Sequence, residues 1–305
     1  KLMKNIIFKI VRRFAKLLLN PKLTWVLVSY EIKKFCCDIL SLFKKKYKYN
    51  IIFLAGMPMS ATTKVKNMCG LIPGYFTRYS PMPYSIRVNQ DISNSAFRYT
   101  PKWSYTLFKT HLNPSQQNIN IIKKNGVKKV VVTYRDLRDV VIARYHRLIK
   151  FPKKKNDPNF SEYHLMNKAD AINDCIKIVS KEYVDWINGW FQVADTNKSF
   201  VLFIKFEELI KNPELEFKKI LKFYEIELNQ KTIAQICKMT EGKKDMVTNI
   251  NESRILPWAL SSNFRSGKIG GWKDEFTNEN LIKAKKMLGK SLIDLKYEKN
   301  LEWAI

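Results

Sequence analysis

Apolar residues fall along the chain in two rhythms. Short, nearly unbroken apolar runs occur in "NIIFLAG" (50–56), "YTLFKTH" (105–111), "VKKVVVTYR" (127–135) and "SFVLFIKFEEL" (199–209). Such runs suit strands buried on both faces. Between them the apolar positions take helical spacing, in "TTKVKNMCGLI" (62–72), "DLRDVVIARYHRLIK" (136–150), the stretch around "WINGWFQVA" (186–194) and "NPELEFKKILKFYEI" (212–226). Asn212 is placed to cap the last of these, with Pro213 at its first helical position. A further helix begins after Thr277. Strands separated by helices predict an α/β fold: a three-layer, P-loop-like architecture with a central parallel sheet and helices on both faces.

Three stretches depart from this alternation. Residues 1–49 read as helical, interrupted by "NPK" (20–22), and form a basic extension ahead of a domain at 50–305. Residues 72–106 carry Pro, Tyr, Ser and Asn without period, as in a loop-rich pocket lining. Residues 241–276 are polar and contain glycine, the pattern of a lid. Within the extension, Ile6, Ile7, Ile10, Val11, Phe14, Leu17 and Leu18 share one helical face, while Lys9, Arg12, Arg13 and Lys16 take the other. Two readings stand for residues 1–19: a helix lying on an anionic membrane surface, or one packed on the domain with a wet basic face. The charges inside the apolar stretch, with no small-residue cleavage site after it, argue against a secretory signal.

Charge and cysteine usage narrow the classes. Fifty-five Lys and Arg face 27 Asp and Glu, a formal charge of +28, which favours an anionic partner. Lys, Asn and Ile are abundant everywhere, however, so most lysines read as solvated surface. No apolar run reaches the roughly 18 residues that cross a bilayer. The five cysteines lack metal-binding spacing and form an odd, scattered set; they read as free thiols of a reducing, cytoplasmic compartment, and no metal site is expected.

Ligands of parallel sheets bind at the carboxyl ends of the strands. Gly56, His111 and Arg135 each stand at such an end. The loop "GMPMSATT" (56–63) joins a strand to a helix start, where backbone N–H groups and the hydroxyls of Ser60, Thr62 and Thr63 suit one phosphate. A triphosphate-binding loop would need a lysine where Thr62 stands, so an ATPase or kinase is not expected. Arg135 could grip a second phosphate with two hydrogen bonds. Asp139, four residues on, is placed to hold Arg135 or to cap the helix. His146 and His164 lack a comparable setting.

Four segments in order resemble the cytosolic-type sulfotransferase family: "GMPMSATT", "FKTH", "YRDLRDVVIARYH" and "FRSGKIGGWKDEFT". The resemblance spans about residues 50–280. It implies a donor, 3′-phosphoadenosine 5′-phosphosulfate, with no metal, and a hydroxyl-bearing acceptor such as a small amphiphile or glycan. It implies His111 as general base and Lys109 as the neutralising cation. Ser60, Ala61, Thr62 and Thr63 would hold the 5′-phosphate. Arg135, Ala143, Arg265, Ser266 and Gly267 would surround the 3′-phosphate, and Thr240 would lie near the adenine.

Several positions depart from the family pattern. Met59 replaces a loop cation, Ala61 a glycine, and Ala143 a serine. Phe206 replaces a tyrosine, and Lys64 stands where an aromatic often lies near the adenine. Ala61 would be strained by about 1–2 kcal/mol if its turn needs positive φ. Lys109, Lys64 and Lys66 are candidates to replace the missing cation, Lys109 first. Three functions follow in order: an active sulfotransferase, a weakened relative that binds nucleotide, and a basic nucleic-acid or anionic-lipid binder. Nucleic acid is the partner least expected.

Overall fold

The computed structural model describes residues 47–77, 90–97, 104–150, 165–241 and 267–304, with a helical piece at 35–39 and single positions 28, 32, 100 and 163. The expected amphipathic helix over 1–19, the central part of the lid, His164, Arg265 and Ser266 lie outside the described residues.

Among the described residues five short strands form one sheet: β1 (Ile51–Ala55), β2 (Phe76–Thr77), β3 (Thr106–Thr110), β4 (Val130–Tyr134) and β5 (Val201–Lys205). Their order is β2-β3-β1-β4-β5 and every pairing is parallel. The helices are α1 (Thr62–Cys69), α2 (Gln116–Lys124), α3 (Leu137–Lys150), α4 (Lys168–Ile178), α5 (Val184–Thr196), α6 (Phe206–Lys211), α7 (Pro213–Phe223), α8 (Gln230–Thr240) and α9 (Asn278–Asp294).

The apolar runs split between two cores because successive strand side chains point to opposite faces. Ile51, Phe53 and Ala55 of β1 join Val130 and Val132 of β4 in one core, under α2, α3, α4, α5 and α9. Ile52 and Leu54 join Val131 in the other, under α1, α7 and α8. The fold is therefore the three-layer α/β arrangement read from the sequence, with β1 at the centre of the sheet.

Local differences have physical causes. The run "SFVLFIKFEEL" is strand only to Lys205; "FEEL" turns helical, with Glu207 and Glu208 in the first turn of α6, where carboxylates favour the helix dipole. Pro213 does open α7, but the Asn212 side chain makes no cap bond. Thr277 caps α9 through a reciprocal pair with Asn280. Helices α2 and α8 escaped the hydrophobic pattern because lysine, asparagine and glutamine surround their few buried isoleucines. Between α4 and α5 the helix continues through a wider π turn, Val179–Tyr183.

Candidate active site

The carboxyl edges of β1, β3 and β4 meet at one place. Gly56 N–H donates to the Thr110 carbonyl and Met57 N–H to that of Thr133, so the loop after β1 is stitched to both neighbours. A Cβ at Gly56 would come within 2.0 Å of Thr62 Oγ1 and 2.3 Å of Thr133 Oγ1, and only glycine fits. Beyond it the chain makes two left-handed steps, at Met59 (φ 69°) and Ala61 (φ 60°). The positive φ that makes Ala61 costly is therefore present, and Met59 shares it.

The hydroxyls expected to face a phosphate divide. Ser60 Oγ is fully buried and bonds Met57 O at 2.6 Å and Thr133 Oγ1 at 2.6 Å. Thr62 Oγ1 bonds Thr133 Oγ1 at 2.9 Å. Both turn inward and brace the loop on β4. Thr63 differs: its Oγ1 accepts from Lys109 Nζ at 3.1 Å. The start of α1 has no side-chain cap, so what it offers an anion is its backbone N–H groups, which an α-helix leaves without intrahelical acceptors. Thr133 was not singled out from sequence, although a hydroxyl inside the apolar run "VVVTY" is the kind of pattern break that marks a bonded polar core residue.

His111 follows β3. Its Nδ1 lies in hydrogen-bonding contact with the Gly56 carbonyl. A carbonyl can only accept, so Nδ1 carries the proton and Nε2 keeps its lone pair. Burial, then the nearby Lys109, and further Arg147, depress the imidazole pKa to about 3, against the opposing pull of the Gly56 bond. Gln90 holds the backbone at this point: its Oε1 accepts from His111 N–H at 2.8 Å and its own N–H donates to the His111 carbonyl. Gln90 sits in an aperiodic stretch that carried no signal for this contact.

Arg135, buried at the end of β4, joins three segments. Its guanidinium donates to Met59 O (3.3 Å) and Lys268 O (2.7 Å), pairs with Asp139 (3.3 Å), and stacks on the Phe206 ring at 4.0 Å. Its Nε is buried without a hydrogen-bond partner. Asp139 also accepts from the N–H groups of Gly270 (2.9 Å) and Trp272 (3.1 Å), so of the two tasks expected it holds Arg135, while its remaining bonds go to the start of the 3-10 turn Gly271–Asp274 instead of to its own helix. Gly267, in left-handed conformation, opens this segment. Ala143 lies partly buried on α3. The Thr240 hydroxyl bonds back to the Ile236 and Cys237 carbonyls at the end of α8. His146 pairs with Glu275 at 2.7 Å, a structural contact.

A family model described as the sulfotransferase domain matches residues 36–296. The chain belongs to the sulfotransferase family. Among curated relatives, sulfotransferase 1A1 of Mus musculus is 28% identical over 181 residues, 56% of this chain and 57% of that protein. Flavonol 3-sulfotransferase of Flaveria bidentis is 26% identical over 270 residues, 80% of this chain and 82% of that one. Cytosolic sulfotransferase 12 of Arabidopsis thaliana is 26% identical over 181 residues, 58% of this chain. The matches to sulfotransferase 1A1 and to cytosolic sulfotransferase 12 span little more than half the length of those proteins, 57% and 53%. A mouse sulfotransferase crystallised with PAP has the same fold, with a TM-score of 0.60, 18% identity and coverage of 84% of this chain and 88% of that one. A retinol dehydratase in complex with androsterone and the inactive cofactor PAP gives 0.55, 19% identity, and coverage of 80% and 81%. The family therefore carries a transferase, nucleotide-binding fold of P-loop type. No helix among the described residues is long and apolar enough to cross a membrane, and no group of His, Cys, Asp and Glu among them forms a metal site.

Proposed function

We propose that this sulfotransferase takes the sulfuryl group of 3′-phosphoadenosine 5′-phosphosulfate to an acceptor hydroxyl, with His111 as general base. The observation that carries the proposal is the His111–Gly56 bond, which leaves Nε2 as the proton-accepting nitrogen at the sheet edge. PAP-bound structures of the same fold support the choice of nucleotide.

The residues present fit a ligand with two phosphorylated ends. The uncapped N-terminus of α1, with the backbone of Ala61, Thr62 and Thr63, would take the 5′ side. Ser60 would act by bracing that loop. Arg135, with an Nε donor still to be satisfied, would take the 3′-phosphate beside Gly267, together with Arg265, Ser266 and the Ala143 face of α3. Thr240 would lie toward the adenine. The donor supplies the sulfuryl group and a phosphate leaving group. His111 Nε2 takes the acceptor's proton, which lowers the barrier to attack. Lys109, tied to the loop through Thr63, offsets negative charge on the 5′ side. The acceptor class is a hydroxyl-bearing small amphiphile or glycan, a reading supported by the flavonol named for one relative and the androsterone bound to one structural neighbour.

A second reading, nucleotide binding with weakened turnover, is favoured by one observation. Met59 is neutral and its side chain packs against the core cluster that includes Ala55 and Met57, so position 59 offers no cation. Transfer of labelled sulfuryl from the donor to a phenol panel separates the two. His111→Gln is expected to lower transfer by at least about a hundredfold while nucleotide binding persists; undiminished transfer would remove His111 as the base. Met59→Lys raising an undetectable rate to a measurable one would make the parent a weakened form. An unchanged rate would assign the cation's task to Lys109.

A further inference from the structure

We propose that Gln90 is a positioning residue for the transfer reaction: its side chain fixes the main chain of His111 and so keeps the imidazole on the Gly56 carbonyl with Nε2 unprotonated. The proposal rests on the reading of His111 as the base.

His111 stands one residue beyond β3, where the ladder with β1 has ended. On the other edge of β3, β2 pairs with Thr106 and Leu107. Gln90 takes up that edge further on, in a parallel bridge opposite Leu112. Its N–H donates to the His111 carbonyl (3.1 Å) and its carbonyl accepts from Asn113 N–H (2.8 Å). These two bonds flank Leu112 and leave the His111 N–H over. The Gln90 side chain folds back to it and supplies Oε1 at 2.8 Å, where a regular sheet would supply a ladder carbonyl. Only the oxygen end of the amide accepts, so its orientation is set.

The rest of the segment is held as firmly. Leu112 N–H donates to Thr110 Oγ1 (3.0 Å), and the Leu112 carbonyl accepts the indole N–H groups of both Trp186 (2.7 Å) and Trp190 (3.2 Å) of α5. Asn118 of α2 donates to the Asn113 carbonyl (2.9 Å) and accepts from Ile92 N–H (3.2 Å), which joins the Gln90 segment to the same helix. All six main-chain polar groups from His111 to Asn113 are thus bonded, three of them by Gln90. Surface loops leave many such groups to water; a supporting shell this complete holds a reactive side chain to one geometry. The amide is also neutral. A carboxylate in its place would set a negative charge on the residue that carries the base and favour imidazolium. Asp91, next in the chain, is exposed and accepts from Asn118 Nδ2 at 3.0 Å.

The test is nitrogen-15 NMR of the histidine rings in nucleotide-free protein at about pH 8, above the ordinary imidazole range. His111→Gln identifies the signal. Wild-type His111 is expected as one tautomer, with the proton on Nδ1. Gln90→Met removes the acceptor and Gln90→Asn withdraws it by one methylene, while both keep the main-chain bridge. Each should mix the two tautomers and lower the kcat of transfer about ten- to a hundredfold, with PAP affinity unchanged. Gln90→Glu restores an acceptor and should restore the single tautomer, with an imidazole pKa above that of the wild type. A wild-type proton on Nε2, which requires no variant to observe, would overturn the proposal. So would an unmixed Nδ1 tautomer in folded Gln90→Met or Gln90→Asn, or a mixture that persists in Gln90→Glu. Undiminished transfer by His111→Gln would remove the base reading alone, because the tautomer would still decide what Gln90 does.

Discussion

At the scale of single residues, the loop after β1 shows where the chain accepts strain. Ala61 holds a φ of 60° with no compensation from a missing Cβ. Ala61→Gly is expected to stabilise the protein by about 0.5–1 kcal/mol, the conformational gain less glycine's added freedom in the unfolded chain. A lower unfolding midpoint in urea would contradict this. His111 gives a prediction with a definite sign. Its folded pKa of about 3 lies below the ordinary 6.5, so the unfolded chain binds the proton first as pH falls. The associated stability is complete above about pH 6.5 and is lost progressively down to about pH 3. His111→Gln should therefore flatten the stability–pH curve in that window, and an unchanged slope would refute the assignment. A donor's negative charges beside Lys109 should raise the imidazole pKa, which NMR titration with and without PAP measures directly.

At the scale of elements, Asp139 joins the β4–α3 corner to the segment 267–274. One buried carboxylate serves Arg135, Gly270 and Trp272. Arg138 strengthens the same junction by bonding Asp136 and Glu298 and lying over both Trp272 and Trp303. Asp139→Ala leaves Arg135 buried without its carboxylate, and a loss of about 3 kcal/mol in unfolding free energy is expected. PAP affinity should fall with it, because Arg135 and the Gly267 turn lose their common support. Unaltered affinity in the folded variant would show that the junction does not organise the nucleotide site. The strand runs and the strand-end positions of Gly56, His111 and Arg135 were legible because a doubly covered parallel sheet needs unbroken apolar runs and places its ligands at their carboxyl ends. The inward turn of Ser60 and Thr62 was not legible, since a hydroxyl at a helix start can face a ligand or brace its own loop. Only the Thr133 side chain decides between them.

At the scale of the molecule, the charge of +28 and the fold assign different tasks to different parts. Of the two readings of residues 1–19, the membrane reading expects that deleting 1–49 lowers co-sedimentation with anionic vesicles; unchanged sedimentation would leave the reading of a helix packed on the domain. The folded domain should respond to nucleotide by mass action. At about 100 times Kd, PAP should add about 2.7 kcal/mol to stability. The central claim, a sulfotransferase whose sheet edge holds 3′-phosphoadenosine nucleotides through Arg135 and the loop at 56–63, is tested most directly by calorimetric titration with PAP. The account predicts saturable one-to-one binding by the wild-type protein and at least about tenfold weaker binding by Arg135→Ala. Absence of binding at millimolar PAP, or equal affinity in the folded variant, would contradict it.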